Sequence, residues 1–355
     1  MESIKKVVIV VCVIIGTLIG AGFASGKEIY LFFSKYGIYG IIGAVVSSIL
    51  TAVIILKVLK ISRNNNLTNN NKFVEKITKN KEIASIIKNI INMFLFISYW
   101  IMSTGLATFF KQEMGIPIVI TSTLNSVVVY FIFMKSVKGI MNLNSIVVPV
   151  MIIIIILVIS MKNFPVSDFF TYTNDIYKKA PVAETMPDAI KATTKAILYT
   201  SYNSITLIPI IVTLSSSINK KKEIRGVSLI TGILVFILIF SIYKMLILSN
   251  LDIKLYEIPV LEILNGFTMT EKILYEIAIV AAIFTSEISA GFGILENIRE
   301  KEKYKIVALI MCVLGIPISY IGFGRLVEVL YPVFGIIGLL QIILIVAFRA
   351  KVNYK

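Results

Sequence analysis

An all-α, polytopic membrane bundle of about ten helices, arranged as a 5+5 inverted repeat with helices one and six interrupted, is the fold class this sequence predicts. Three observations predict it. Of 355 residues, 57% are hydrophobic and the mean hydropathy is +0.90, so apolar runs of spanning length dominate the chain. Basic residues gather in alternate loops between those runs. The first run collects Gly16, Gly20, Gly22 and Gly26, then Lys27 and Glu28. Glycine costs about 1 kcal/mol relative to alanine in a helix interior, and a charge in hydrocarbon at least ~2.5 kcal/mol. Such a stretch is tolerated where backbone lines a cavity or packs in protein.

A span needs about 20 apolar residues. The spans read as Lys6–Ser34, Gly37–Lys57, Ile83–Phe110, Ile116–Met134, Gly139–Met161, Pro187–Ser217, Val227–Leu248, Lys272–Glu296, Tyr304–Gly322 and Leu326–Arg349. A straight helix from Val7 to Ser34 would be about 42 Å long, which calls for steep tilt or a break. One straight helix ending at Lys27, with Gly16/Gly20 and Gly22/Gly26 as small packing pairs, is the competing reading. Positive charge falls at Lys5 and Lys6, in the loop from Lys57 to Lys88, at Lys135 and Lys138, at Lys220–Arg225, at Arg299–Lys305 and from Arg349 onward. All of these lie on one side, so both termini are expected in the cytoplasm of a bacterial cell. Between spans, Phe73–Ile77 reads as a short interfacial helix and Ile258–Leu264 as a re-entrant or capping helix.

The halves overlay. Lys88–Phe110 of span three falls on Thr270–Phe292 of span eight, and Gly20 falls on Tyr202, inside the irregular run Tyr199–Thr206 before Pro209. With five spans per half, the second half enters from the opposite face. The whole chain is then one transport domain: repeat one at about 5–161, an external link at 162–186, repeat two at about 187–349. Interrupted helices at matching places in inverted halves point to a transporter site.

Several functions are excluded or disfavoured. The net charge of +15 sits in short loops and does not imply nucleic acid. Without any His, His-metal sites and Ser-His-Asp chemistry are ruled out, and no P-loop or nucleophile elbow is present. Cys12 and Cys312 lie in apolar runs and read as small buried hydrophobes. The chain is therefore not expected to be an enzyme or to carry a cofactor. Its expected partners are membrane lipids and a small solute.

The chemistry concentrates at two places. Unwound carbonyls in span one suit a hard cation, and freed N–H groups attract a carboxylate. Ser25-Gly26-Lys27-Glu28 also has the capping-box form S-x-x-E, so Glu28 fits either a cap or, with Lys27, a coupling or gating role. Glu287 lies deep in span eight between Thr285, Ser286 and Ser289. It fits a coupling role or a buried pair with Lys27 or Lys195. A pocket between spans one, three, six and eight would be lined by Gly20, Ala21, Gly22, Tyr99, Ser103, Tyr202, Asn203 and Ser204. Ordinary packing is the alternative for Tyr99 and its neighbour Trp100.

Gly16-x-x-Ile19-Gly20-x-Gly22 resembles the first-span G-x-x-V-G-x-G pattern of sodium-coupled amino-acid symporters with the LeuT fold. Ala282-x-x-Thr285-Ser286 is similar to their span-eight A-x-x-T-S triplet. The resemblance implies a Na⁺ held by carbonyls of Gly16, Ile19 and Ala282 and hydroxyls of Thr285 and Ser286. The string GAGFASGKE resembles the YkvI-type bacterial membrane proteins of the amino acid–polyamine–cation superfamily. Two departures stand out. Phe23 occupies the place of the Asn of a second sodium site, and ten spans replace twelve. Proton-coupled relatives carry a span-five Lys; Gly139–Met161 has none inside it. The implied function is Na⁺-coupled transport of a small zwitterion, an amino acid, by alternating access. The alternatives are proton coupling through Glu287 and a nutrient sensor on the same scaffold that binds without transport.

Overall fold

A computed structural model describes residues 2–134, 149–159, 188–218, 220–249, 251–295, 298 and 300–348. The described residues are helical throughout, with no strand among them. Span one is three pieces: α1 (Glu2–Leu18), α2 (Ala21–Ala24) and α3 (Lys27–Phe32). Then follow α4 (Tyr39–Asn64), α5 (Asn70–Thr78), α6 (Lys81–Met114) and α7 (Ile118–Phe133). The apolar helix α8 is Pro149–Ile159. The second half holds α9 (Asp188–Leu214), α10 (Lys221–Leu248), α11 (Pro259–Leu264), α12 (Met269–Leu295), α13 (Lys301–Ile318) and α14 (Phe323–Ala347).

Among the described residues, 7 helices are long and apolar enough to cross a membrane: α4, α6, α9, α10, α12, α13 and α14. Span one fails that length only because it is broken, and span four because α7 has 16 residues. Most of span five outside α8, and the whole 162–186 link, lie outside the described residues. The two short interspan helices form as α5 and α11.

Local sequence sets the ends. The Asn80 side chain accepts from Glu82 N–H at 2.7 Å and Ile83 N–H at 3.2 Å, starting α6. Gly115, at φ +67°, closes it, and Pro117 precedes the first turn of α7. α4 shows how the spans then pack. Gly43, Ala44, Ser47, Ser48 and Thr51 are buried, while Ile42, Val45, Ile49 and Val53 on the other side are exposed to the bilayer. Lipid is as apolar as leucine, so helices associate through close approach and interhelical hydrogen bonds. Ser47 and Thr200 hydroxyls join α4 to α9 at 2.9 Å, and Ser228 Oγ donates to Ala52 O at 2.7 Å between α10 and α4.

Two helix groups result. α4 packs extensively on α9 and α10, and α9 on α14, with α1 lying against α9 and α10. α6 packs on α12 and α7, and α13 on α7, around a separate apolar core of Val129, Phe133, Ile288 and Met311. The span-one break lies at the seam, because α2 packs against α12 whereas α1 packs in the first group.

One expectation is overturned. Span six runs as a single helix through Tyr199–Thr206, with Pro209 inside it. The polar run does not unwind because its side chains bond within the helix. Thr200 and Ser201 hydroxyls donate to Ala196 O and Ile197 O, Asn203 Nδ2 to Tyr199 O, and the Ser204 hydroxyl to Ser201 O at 2.6 Å.

Candidate functional site at the break in span one

Helix α1 stops at Leu18. Gly20 is extended, at φ −106° and ψ −171°. The chain turns once through α2 and re-enters helix after Gly26, at φ +79°, a left-handed conformation that favours glycine. Ile19 N–H still donates to Ile15 O, and Ala24 N–H donates to Gly20 O. Among the described residues no hydrogen bond reaches the carbonyls of Gly16 or Ile19. Unpartnered carbonyls of this kind are acceptors available to a ligand.

Two spans face the break. From α6, Met102 Sδ accepts from Ala21 N–H at 3.4 Å. From α12, the Tyr275 hydroxyl donates to Ala24 O at 3.4 Å. A Cβ on Gly20 would lie 3.3 Å from Met102 Cε and 3.7 Å from Ser286 Oγ, so Ser286 sits beside the unwound backbone. The neighbouring Thr285 hydroxyl donates within its own helix, to Ala281 O at 2.7 Å and Ala282 O at 3.3 Å. Ala282 is buried and the two hydroxyl residues are half-buried. Met102 was missed in the sequence because a methionine in an apolar span carries no signal of its own.

Glu28 is not a cap. The N-cap of α3 is Gly26 rather than Ser25, and no side chain caps it. Ser25 Oγ instead donates to Gly22 O at 3.1 Å and accepts from Lys27 N–H at 3.3 Å. The left-handed Gly26 displaces the helix start by one residue, so Glu28 turns inward. Its Oε1 accepts from the Tyr202 hydroxyl. Its Oε2 would lie 2.6 Å from a Cβ on Gly22, so only glycine lets the carboxylate fold back over α2. Its partner Tyr202 sits in an aromatic cluster: it stacks on Phe32 at 5.6 Å and on Tyr331 at 4.6 Å, and Tyr199 meets it edge-on at 5.6 Å. Tyr331 of α14 belongs to this cluster.

Glu287 is fully buried and pairs with neither Lys27 nor Lys195. Asn125 Nδ2 of α7 donates to its two oxygens at 2.8 and 3.1 Å, and Ser103 Oγ lies 3.2 Å from the same amide. Ser103 thus belongs to the Glu287 cluster. Tyr99, one turn earlier on the same face, donates to Cys312 Sγ at 3.4 Å and packs near Phe133. It is a scaffold residue, not a lining residue of the break. Trp100 Nε1 donates to Met311 O at 3.1 Å, likewise in packing. The Ser204 hydroxyl is used inside α9.

Lys27 points to the segment around α11. Its Nζ donates to Tyr256 O at 3.0 Å. Val260 N–H donates to Ser25 O at 3.1 Å, Glu257 accepts from Gly324 N–H, and the Gln112 amide pairs with both backbone groups of Ile258 at 3.2 and 3.3 Å. Residues 256–260 are therefore tied to α6, α14 and the start of α3, over the end of the break.

This arrangement defines a class first: a membrane bundle of the LeuT fold. The chain aligns over 94% of its length with a Na⁺-coupled sialic acid symporter solved in a substrate-bound, outward-open state, covering 76% of that chain at TM-score 0.57 and 16% identity. It also aligns over 94% with the inward-facing conformation of Mhp1, covering 75% of that chain at TM-score 0.52 and 12% identity. More particularly, the sequence is 28% identical over 333 residues to the uncharacterized membrane protein YkvI of Bacillus subtilis (strain 168), spanning 92% of this chain and 91% of that one. It is 24% identical over 346 residues to the uncharacterized protein YyaD of the same organism, spanning 96% of each. No family model matches the chain.

Proposed function

We propose that this protein is a secondary active transporter of the bacterial cell membrane, moving a small zwitterionic solute, an amino acid, coupled to Na⁺ by alternating access. The observation that carries the reading is the break itself: the free carbonyls of Gly16 and Ile19 on one side, and Ser286 beside Gly20 on the other. In this reading Gly16, Ile19, Ala282, Thr285 and Ser286 hold the ion. Carbonyl and hydroxyl oxygens suit a hard monovalent cation without adding net charge. Gly20, Ala21, Gly22, Tyr202, Asn203 and Ser204 line the path of the solute. Residues 5–161 and 187–349 act as inverted halves with both termini cytoplasmic, and Lys27 with the α11 segment closes the outer side.

A second reading has its own observation. Glu287 with Asn125 and Ser103 is a buried carboxylate holding hydrogen bonds but no ion pair among the described residues. It would carry a coupling proton in place of Na⁺.

Purified protein in liposomes separates the two. Uptake of a radiolabelled amino-acid mixture should require an inward Na⁺ gradient, and Thr285→Ala with Ser286→Ala should lower its Na⁺ dependence at least 10-fold. Full uptake without Na⁺, driven by a pH gradient and lost in Glu287→Gln, supports the second reading. Ligand binding without any flux contradicts both and favours a sensor.

A further inference from the structure

An apolar groove of about 280 Å³ lies between α6, α9 and α14 and shares no residue with the span-one break. Its floor is buried: Ile91 is 8% exposed, Ile205 1% and Gln341 5%. Its rim is open to the bilayer, with Ile86, Leu340 and Ile343 each more than half exposed. One turn further along α6 and α14, Phe94 and Phe334 meet edge-on at 4.6 Å and fill the space between the two helices.

Gln341 is the one polar side chain on this wall. Its Nε2 is buried, and among the described residues it has no hydrogen-bond partner. A buried amide left unpaired is costly. Water does not suit the place, because a buried water needs two to four polar partners and the rest of the wall is aliphatic. A single acceptor carried on an apolar chain does suit it. The volume agrees: about 280 Å³ holds roughly nine groups the size of water or a methylene. An α-helix, about 10 Å across, is too wide to enter.

Charge indicates which apolar chain. α5 packs against all three helices that form the groove, and so lies across its end. Phe73, Val74 and Ile77 of α5 are buried, whereas Lys72, Lys76 and Lys79 are exposed, with Lys81 at the start of α6. Two acids, Glu75 and Glu82, share that surface and leave a basic excess. An amphipathic helix of this kind lies at headgroup level, and basic pockets between spans bind anionic headgroups. Gln341 lies about 9 Å inside the Ala347 end of α14. That is the side of the headgroup on which a phospholipid carries its ester carbonyls.

We propose that the groove is a binding site for an anionic glycerophospholipid. One acyl chain lies between α6 and α14, an ester carbonyl accepts from the Gln341 amide, and the phosphate meets the lysines of α5. The site does not depend on the transporter reading. It does bear on the two helix groups, since α6 belongs to one and α9 and α14 to the other, and a lipid seated there touches both.

The test uses the full chain, purified in detergent and stripped of lipid. Native mass spectrometry counts bound lipids, and thermal unfolding gives their affinity. The probes are dioleoyl phosphatidylglycerol, dioleoyl phosphatidylcholine and the ether-linked phosphatidylglycerol that lacks ester carbonyls. The first should bind saturably and the other two at least 10-fold more weakly. Gln341→Leu, an apolar change of similar size, should fold at least as stably. It should weaken the ester-linked phosphatidylglycerol at least 10-fold and leave the ether-linked one unchanged. Lys72→Gln, Lys76→Gln and Lys79→Gln together should abolish the preference over phosphatidylcholine. The ester-to-ether comparison is made on the unaltered chain and decides the amide contact if Gln341→Leu fails to fold. Equal binding of all three lipids marks an unselective annulus and overturns the proposal. So does phosphatidylglycerol binding undiminished by Gln341→Leu. A lipid-free dimer dissociated by Leu340→Glu would place a second copy of the chain on the groove and overturn it as well.

Discussion

Glu28 and Glu287 are both buried acids, yet their neighbours differ in kind. Glu28 reaches Tyr202 of α9, which stacks on Tyr331 of α14, and Glu287 reaches the Asn125 amide of α7. Asn125 carries most of the hydrogen bonding to Glu287, so Asn125→Ala should cost about 1–3 kcal/mol, the price of a buried group left unsatisfied. Thermal unfolding in detergent measures it, and an unchanged midpoint would show that Glu287 finds other partners. Glu287 is legible in the sequence because a charge in the middle of an apolar span stands out. Asn125 is not, since a single Asn between Leu124 and Ser126 resembles any polar spot in a membrane helix. Glu28 is legible as a charge with two roles open: S-x-x-E matches a capping box, and the left-handed Gly26 shows that the helix starts one residue later and removes the cap.

At the scale of helices, composition told breaks from bends in one case and not the other. The glycines of span one have no side chains to bond back to the helix, and the chain unwinds at Ile19 and Gly20. The hydroxyls and amide of Tyr199–Thr206 do bond back, so an equally polar run stays helical. Alignment of the two halves could not make that distinction, because it compares positions rather than hydrogen-bond partners. Small residues elsewhere set interhelical distance. A Cβ on Gly338 of α14 would fall on the Ser201 carbonyl of α9, so Gly338→Ala should destabilise the bundle by about 1–3 kcal/mol. Gly115→Ala meets nothing within 4 Å and carries only the strain of φ +67°, about 1 kcal/mol. Unfolding midpoints of the two variants should differ in that order; equal midpoints would mean α9 and α14 can move apart freely.

For the whole molecule, hydropathy yields the order of the described spans, because bilayer thickness and backbone hydrogen bonding leave few alternatives. It does not yield the partition into two helix groups. That depends on which faces meet: Tyr99 and Ser103 turn toward α7 and α13, while Met102 turns to the break. The partition is what makes the break a meeting point, with α1 in one group and α12 in the other. A cation held by carbonyls of span one and hydroxyls of span eight would bridge the two groups and stabilise the assembly by mass action. The direct measurement is unfolding temperature against Na⁺ concentration at constant ionic strength, with K⁺ as replacement, for the unaltered chain and for Ser286→Ala. A saturable Na⁺-specific rise in the unaltered chain, requiring at least 10-fold more Na⁺ in Ser286→Ala, is the predicted result. Identical curves in Na⁺ and K⁺, or an unshifted curve in Ser286→Ala, would contradict the account.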